Sequence, residues 1–145
     1  FEIIGSNNDI TVIDDYAHHP TEIKVTLEAA KKFPHNRIWC VFQPHTYTRT
    51  KLLLKEFANS FHEADNVIIT DIYAAREKDT GLINSKDLTK EINNHSNNAM
   101  YIKEFEDIAE YIAENAKTGD LVMTLGAGSI TTLGPIIINK LKEAE

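Results

Sequence analysis

The chain has 145 residues, 42% hydrophobic and 26% charged, which suits one ordinary globular domain with a substantial core. A formal net charge of -7 without a basic stripe excludes broad nucleic-acid binding, because a phosphate backbone is neutralised by clustered Lys and Arg. No apolar run approaches the roughly 20 residues that a membrane span requires, so no membrane partner is expected.

Phe1-Glu2-Ile3-Ile4 is strand-like from the first residue, and the chain is expected to be a piece cut from a longer one. Short apolar runs rich in branched side chains predict buried strands at residues 10–14, 37–42, 66–70, 99–102 and 121–125. After the first, Ile23, Leu27 and Ala30 share one helical face; after the second, Leu53, Phe57, Phe61 and Ala64 do so. Ser85 is the expected N-cap of a helix over residues 86–93, and the polar stretch 93–98 is a surface loop. Phe105, Ile108, Ala109, Ile112 and Ala116 form a further stripe, and residues 130–144 close the chain as a helix whose start carries Gly134 and Pro135. The lone cysteine, Cys40, lies inside an apolar run, which excludes an intrachain disulfide and suits the cytoplasm.

Strands alternating with helices demand parallel pairing through right-handed crossovers. The predicted fold is therefore α/β: a doubly wound, mostly parallel, Rossmann-like sheet of about five or six strands with helices on both faces. Ligands of such sheets bind beyond the carboxyl ends of the strands, and the chain's unusual residues fall there. Asp14-Asp15-Tyr16-Ala17-His18-His19-Pro20 follows the first strand and Gln43-Pro44-His45-Thr46-Tyr47-Thr48-Arg49 the second. Asp71-Ile72-Tyr73-Ala74-Ala75-Arg76-Glu77 follows the third and Gly126-Ala127-Gly128-Ser129 the fifth.

Asp15 can accept from a ribose diol or an ammonium, Tyr16, His18 and His19 offer donors and a mobile proton, and Pro20 starts a helix whose N-terminus favours an anion. The same residues would also serve as a plain helix-capping turn, or hold a divalent ion, although adjacent histidines usually point apart. Arg49 can clamp a carboxylate or phosphate through two parallel hydrogen bonds, with His45 and Tyr47 beside it; as a plain surface charge it would need no such neighbours. Tyr73, Arg76 and Glu77 read as structural, and no metal site is expected. The glycines at 126 and 128 let backbone N–H groups approach an anion, yet no Gly-x-x-x-x-Gly-Lys-Ser/Thr phosphate loop and no complete Gly-x-Gly-x-x-Gly fingerprint is present.

Asp14-Asp15-Tyr16-Ala17-His18-His19-Pro20-Thr21-Glu22, then Phe42-Gln43-Pro44-His45-Thr46-Tyr47-Thr48-Arg49-Thr50, then Gly126-Ala127-Gly128, closely resemble the C-terminal domain of the Mur ligases. The paired histidines and the Gln-Pro-His segment resemble the branch that adds L-alanine, or its near relative that recycles murein peptide. The resemblance covers essentially residues 1–145 and implies the amino-acid-binding domain of a three-domain enzyme of peptidoglycan synthesis. In such an enzyme the carboxylate of UDP-N-acetylmuramate attacks the γ-phosphate of ATP, and the amino group of L-alanine displaces the acyl phosphate. ATP and Mg2+ would be held mainly by a central domain and the UDP-sugar by an N-terminal one, with all three substrates meeting in the interdomain cleft. Carried over residue by residue, Asp15, with His19, would face the nucleotide. Tyr16, His18, His45 and Arg49 would orient L-alanine and product, and Gly126, Gly128 and Ser129 would help hold the amino-acid end. Where several relatives have Arg, this chain has Thr46, leaving Arg49 as the one guanidinium. The alternatives are the ligase that attaches a preformed murein tripeptide, and a stand-alone nucleotide-binding module without chemistry of its own.

Overall fold

A computed structural model describes residues 1–144, in which strands and helices alternate after an initial hairpin. In chain order they are β1 (Glu2–Asn7), β2 (Ile10–Asp15), α1 (Pro20–Lys31), β3 (Ile38–Phe42), α2 (Tyr47–Leu52), α3 (Leu54–Ala58), β4 (Asn66–Ile69), α4 (Ser85–Asn93), β5 (Ala99–Tyr101), α5 (Phe105–Asn115), β6 (Leu121–Leu125), a 3-10 turn (Ser129–Thr132) and α6 (Leu133–Glu143). The strands form one six-stranded sheet in the order β1-β2-β6-β3-β4-β5. All neighbours are parallel except β1, which folds back antiparallel on β2.

Period-two alternation splits the core into two layers. Ile13, Cys40, Phe42, Val67, Ile69 and Met123 point to one face and pack against α1, α3 and α4. Val12, Trp39, Val41, Ile68 and Val122 point to the other and pack against α5 and α6. The doubly wound sheet with helices on both faces is thus present, and Cys40 is buried, with desolvation pushing its thiol far above the ordinary range.

Which face each helix covers decides where the sheet opens. The chain leaves β2 and β3 for the α1 face, but leaves β6, which lies between them, for the α6 face. It likewise leaves β4 for the α4 face and β5 for the α5 face. Adjacent loops therefore diverge at β6 and again between β4 and β5, and a crevice opens at each divergence.

Two local expectations are corrected. Ser85 is the first helical residue and not the cap: its hydroxyl donates to Thr70 O, while Asn84 accepts from Lys86 N at 2.8 Å and Asp87 accepts from Asn84 N at 2.9 Å. The single stripe through Leu53 and Ala64 is two short helices, α2 and α3, and Phe61 and Ala64 are buried beyond the end of α3.

Candidate functional site

Backbone bonds tie the loops after β2, β3, β4 and β6 into one rim. Gly126 N donates to Asp15 O at 3.2 Å and Gln43 N to Leu125 O at 3.0 Å. Tyr73 N donates to Pro44 O, and Thr46 N to Tyr73 O, each at 2.8 Å. A row of rings runs along this rim: Tyr16 to His18 with centroids 5.3 Å apart, His18 to His45 at 5.7 Å, and His45 to Tyr73 at 5.6 Å. Four of the loops predicted to carry function thus converge, and Tyr73, which the sequence reading left as structural, stands at the end of the row.

His18 shares its Nδ1 with Tyr16 O at 3.0 Å and lies 3.6 Å from Glu22 Oε1. His45 is constrained differently: its Nδ1 is buried with no hydrogen-bond partner. Burial first, then the Arg49 charge and His18, push the His45 pKa below its ordinary value, against a weaker pull from Glu77. Arg49 sits on the first turn of α2 and forms no ion pair among the described residues.

Both helix N-termini at this rim are already filled by carboxylates of the chain. Glu22 accepts from His19 N at 3.0 Å and His18 N at 3.2 Å; burial pushes its pKa up, but these bonds outweigh it and hold the group low. Glu77 accepts from Tyr47 N at 2.6 Å and from the Thr48 hydroxyl, and that hydroxyl bond is the chief reason its pKa is low. The expectation that the α1 terminus at Pro20 is open to an anion is therefore corrected, and His19 serves as the N-cap there, its Nδ1 accepting from Thr21 N at 3.4 Å. The Arg49 side chain is a free positive group beside His45 on this rim.

Two residues in the β3 and β6 loops are held under steric constraint. Thr46 has φ 67° and ψ 147°, where a β-branched residue is strained, while its hydroxyl caps Arg49 N at 3.3 Å. A Cβ on Gly128 would meet Tyr73 Cγ at 2.5 Å and Gln43 Oε1 at 2.8 Å. Gly126, at φ 152°, would meet Ile130 Cγ2 at 2.8 Å, so both glycines are required. Buried Gln43 accepts from Ile130 N at 3.1 Å and donates to Ser129 Oγ at 3.0 Å, fastening the β6 turn to the β3 loop. Its side chain was passed over at the sequence level as an accompaniment to Arg49.

The carboxyl rim carries two depressions. Asp15 turns away from His18 toward α1: its Oδ1 accepts from Ala17 N at 2.8 Å and Thr26 Oγ1 at 3.3 Å, and its Oδ2 lies 2.7 Å from Phe1 N. It borders a depression of about 350 Å³ with Tyr16, Val25 and Thr26. A second, of about 390 Å³, opens between the β4 and β5 loops, walled by Gln43, Asp71, Tyr73, Lys103, Glu104 and Ser129. No cluster of three or more His, Cys, Asp or Glu suited to a metal occurs among the described residues.

A family model for the Mur ligase glutamate ligase domain matches residues 1–128. The UDP-N-acetylmuramate–L-alanine ligase of Caldanaerobacter subterraneus is 56% identical over 143 residues, covering 99% of this chain and 31% of that protein. The UDP-N-acetylmuramate-alanine ligase structure from Thermotoga maritima superposes with a TM-score of 0.78 at 25% identity, covering 99% of this chain and 30% of that one. A solved domain described as a UDP-N-acetylmuramate:L-alanyl-γ-D-glutamyl-meso-diaminopimelate ligase domain from Haemophilus ducreyi has a TM-score of 0.69 at 27% identity, covering 97% of this chain and 98% of that one. The chain thus spans about a third of the length of the curated relatives that it matches.

Proposed function

The chain belongs to the Mur ligase family through its glutamate ligase domain, and from that membership we propose that it is the C-terminal, amino-acid-binding domain of the ligase joining L-alanine to UDP-N-acetylmuramate. The observation that carries this reading at the site is the unpaired Arg49 beside His45, on a rim whose helix N-termini are occupied by Glu22 and Glu77. A small zwitterion brings a carboxylate for the guanidinium and an amino group for the His45 imidazole, and Arg presents two parallel donors to such a carboxylate. Burial first and then the Arg49 charge disfavour a proton on His45, which leaves the imidazole able to accept a hydrogen bond from an amine. Tyr16 and His18 would help orient L-alanine and its product, and Gly126, Gly128 and Ser129 would help hold the amino-acid end. Asp15 and His19 face the α1 side, where the 350 Å³ depression would take the ribose of ATP.

ATP phosphates and Mg2+ are assigned elsewhere. The chain carries no phosphate loop and, among the described residues, no acidic or histidine cluster that suits a metal. The central domain of the longer enzyme would hold them, with the UDP-sugar on a further domain, and closure would bring the amino group held here to the acyl phosphate formed there. The reaction would take place in the cytoplasm; no helix among the described residues is long and apolar enough to cross a membrane.

The chain alone, given UDP-N-acetylmuramate, ATP, magnesium and L-alanine, is expected to release no phosphate above background. In the full-length enzyme, Arg49→Lys should raise the Michaelis constant for L-alanine about 10- to 100-fold, corresponding to roughly 1.5 to 3 kcal/mol, with little change for ATP. Equal effects on both substrates would sink the carboxylate clamp. Tripeptide attachment is the second reading, favoured by the fold match to the Haemophilus ducreyi domain; a tripeptide that outcompetes L-alanine in the same assay would select it.

A further inference from the structure

The site reading uses His45 and Arg49 but leaves the 390 Å³ cavity between the β4 and β5 loops without a role. Neither His45 nor Arg49 lines the cavity, whereas Tyr73 both lines it and adjoins His45. One side of its ring lies 5.6 Å from the His45 ring, and the same residue walls the cavity with Gln43, Asp71, Lys103 and Glu104. Against the ring lies Gly128, whose missing Cβ is what allows the two loops to approach.

We infer that Tyr73 is the specificity-determining wall of the amino-acid site, limiting the bound side chain to about the size of a methyl group by sealing off this cavity. The inference rests on the reading that Arg49 and His45 hold an L-amino acid. The ring is well suited to the task because its position does not depend on its own polar group. Tyr73 N and O are pinned to Pro44 O and Thr46 N at 2.8 Å each, so the backbone would hold its path after truncation. Asp71, Glu104 and Glu106 outnumber Lys103 on the cavity wall. The exposed space would therefore favour a long cationic side chain over an apolar one of similar length.

The test uses the full-length enzyme and measures phosphate release with L-alanine, L-leucine and L-lysine. Tyr73→Ala should lower the kcat/KM preference for L-alanine over L-lysine at least 10-fold, with a smaller gain for L-leucine; Tyr73→Phe should leave the preference unchanged. Should the alanine variant not fold, Tyr73→Leu, which shortens the ring but keeps an apolar contact on Gly128, should shift the preference in the same direction. A parallel fall for all three amino acids, with the preference intact, overturns the inference and makes Tyr73 a packing residue. Absence of L-alanine-dependent phosphate release by the unsubstituted enzyme overturns the underlying reading, and the inference with it.

Discussion

At the amino ends of β3 and β6, the carboxylate of Asp120, 2% exposed, accepts from Arg37 Nη2 at 2.9 Å, Trp39 Nε1 at 3.0 Å and Lys117 N at 2.9 Å. At the carboxyl ends of the same strands, His45 Nδ1 is buried without a partner, Thr46 is strained and Arg49 is unpaired. The lower rim uses Asp120 to join segments distant in sequence, although Asn7 Oδ1 at the end of β1 is buried without a partner. The upper rim combines an unmet imidazole nitrogen with backbone strain and an unpaired guanidinium, a combination that suits a ligand site.

The contrast breaks most visibly at Asp120. Asp120→Ala should destabilise the chain by about 1 to 3 kcal/mol, because it strands the Trp39 N–H in the core, while the part-exposed Arg37 keeps its bond to Asn115 O. Urea denaturation measures this; a loss below about 1 kcal/mol would contradict the account. Burial pushes the Asp120 pKa up, but the bonds from Lys117, Arg37 and Trp39 outweigh it and hold it below the ordinary value. Its stabilisation is therefore present above the unfolded value of about 3.9 and is lost as pH falls through the lower folded one.

The upper rim should respond with the opposite sign. Thr46→Gly relieves a conformation that suits glycine, losing only a weak cap on Arg49 N, so the chain should gain up to about 1 kcal/mol. A clear loss in thermal denaturation would mean that the hydroxyl, not the backbone, governs that turn.

His45 sharpens the comparison with a smaller effect. Its folded pKa lies below the unfolded value, so the folded chain binds fewer protons and its stability falls as pH drops from about 6.5 toward the folded value, then levels off. Arg49→Gln should raise the His45 pKa toward its ordinary value and flatten that slope, as read from the His45 ring resonance in an NMR titration. A resonance insensitive to the substitution would separate the two residues. At the low end, Lys31→Ala, which breaks the exposed 2.6 Å pair with Glu63, should leave the denaturation midpoint unmoved.

Much of this was legible in the sequence because it depends on periodicity. The alternation of Val12 and Ile13, or Val41 and Phe42, sets which face each residue covers, and the strand–helix rhythm sets the parallel sheet. The residues at the carboxyl rim were legible for the same reason. Other features depend on three-dimensional neighbours and left no linear trace. Glu77 reaches back across 30 residues to the start of α2, Asp15 turns toward Thr26, and Tyr73 fills the room that Gly128 leaves. Asn84 and Ser85 are both good capping types, and only the Ser85 bond to Thr70 decides between them. An aromatic residue in the loop after the third strand was the one available signal for Tyr73.

The place of β6 in the sheet also orders the birth of the fold. Residues 121–125 fill the slot between β2 and β3, so a chain emerging from the ribosome makes both neighbours long before the strand that joins them. Until then β2 and β3 each present an unpaired edge, and the loops carrying His18 and His45 have no common support. The nascent chain must shield those edges through the synthesis of α4, β5 and α5. The pairing that ends the wait links Asp15 to Leu125 and Phe42 to Leu125 in a single stroke, so the site is assembled in the step that completes the sheet, not before it.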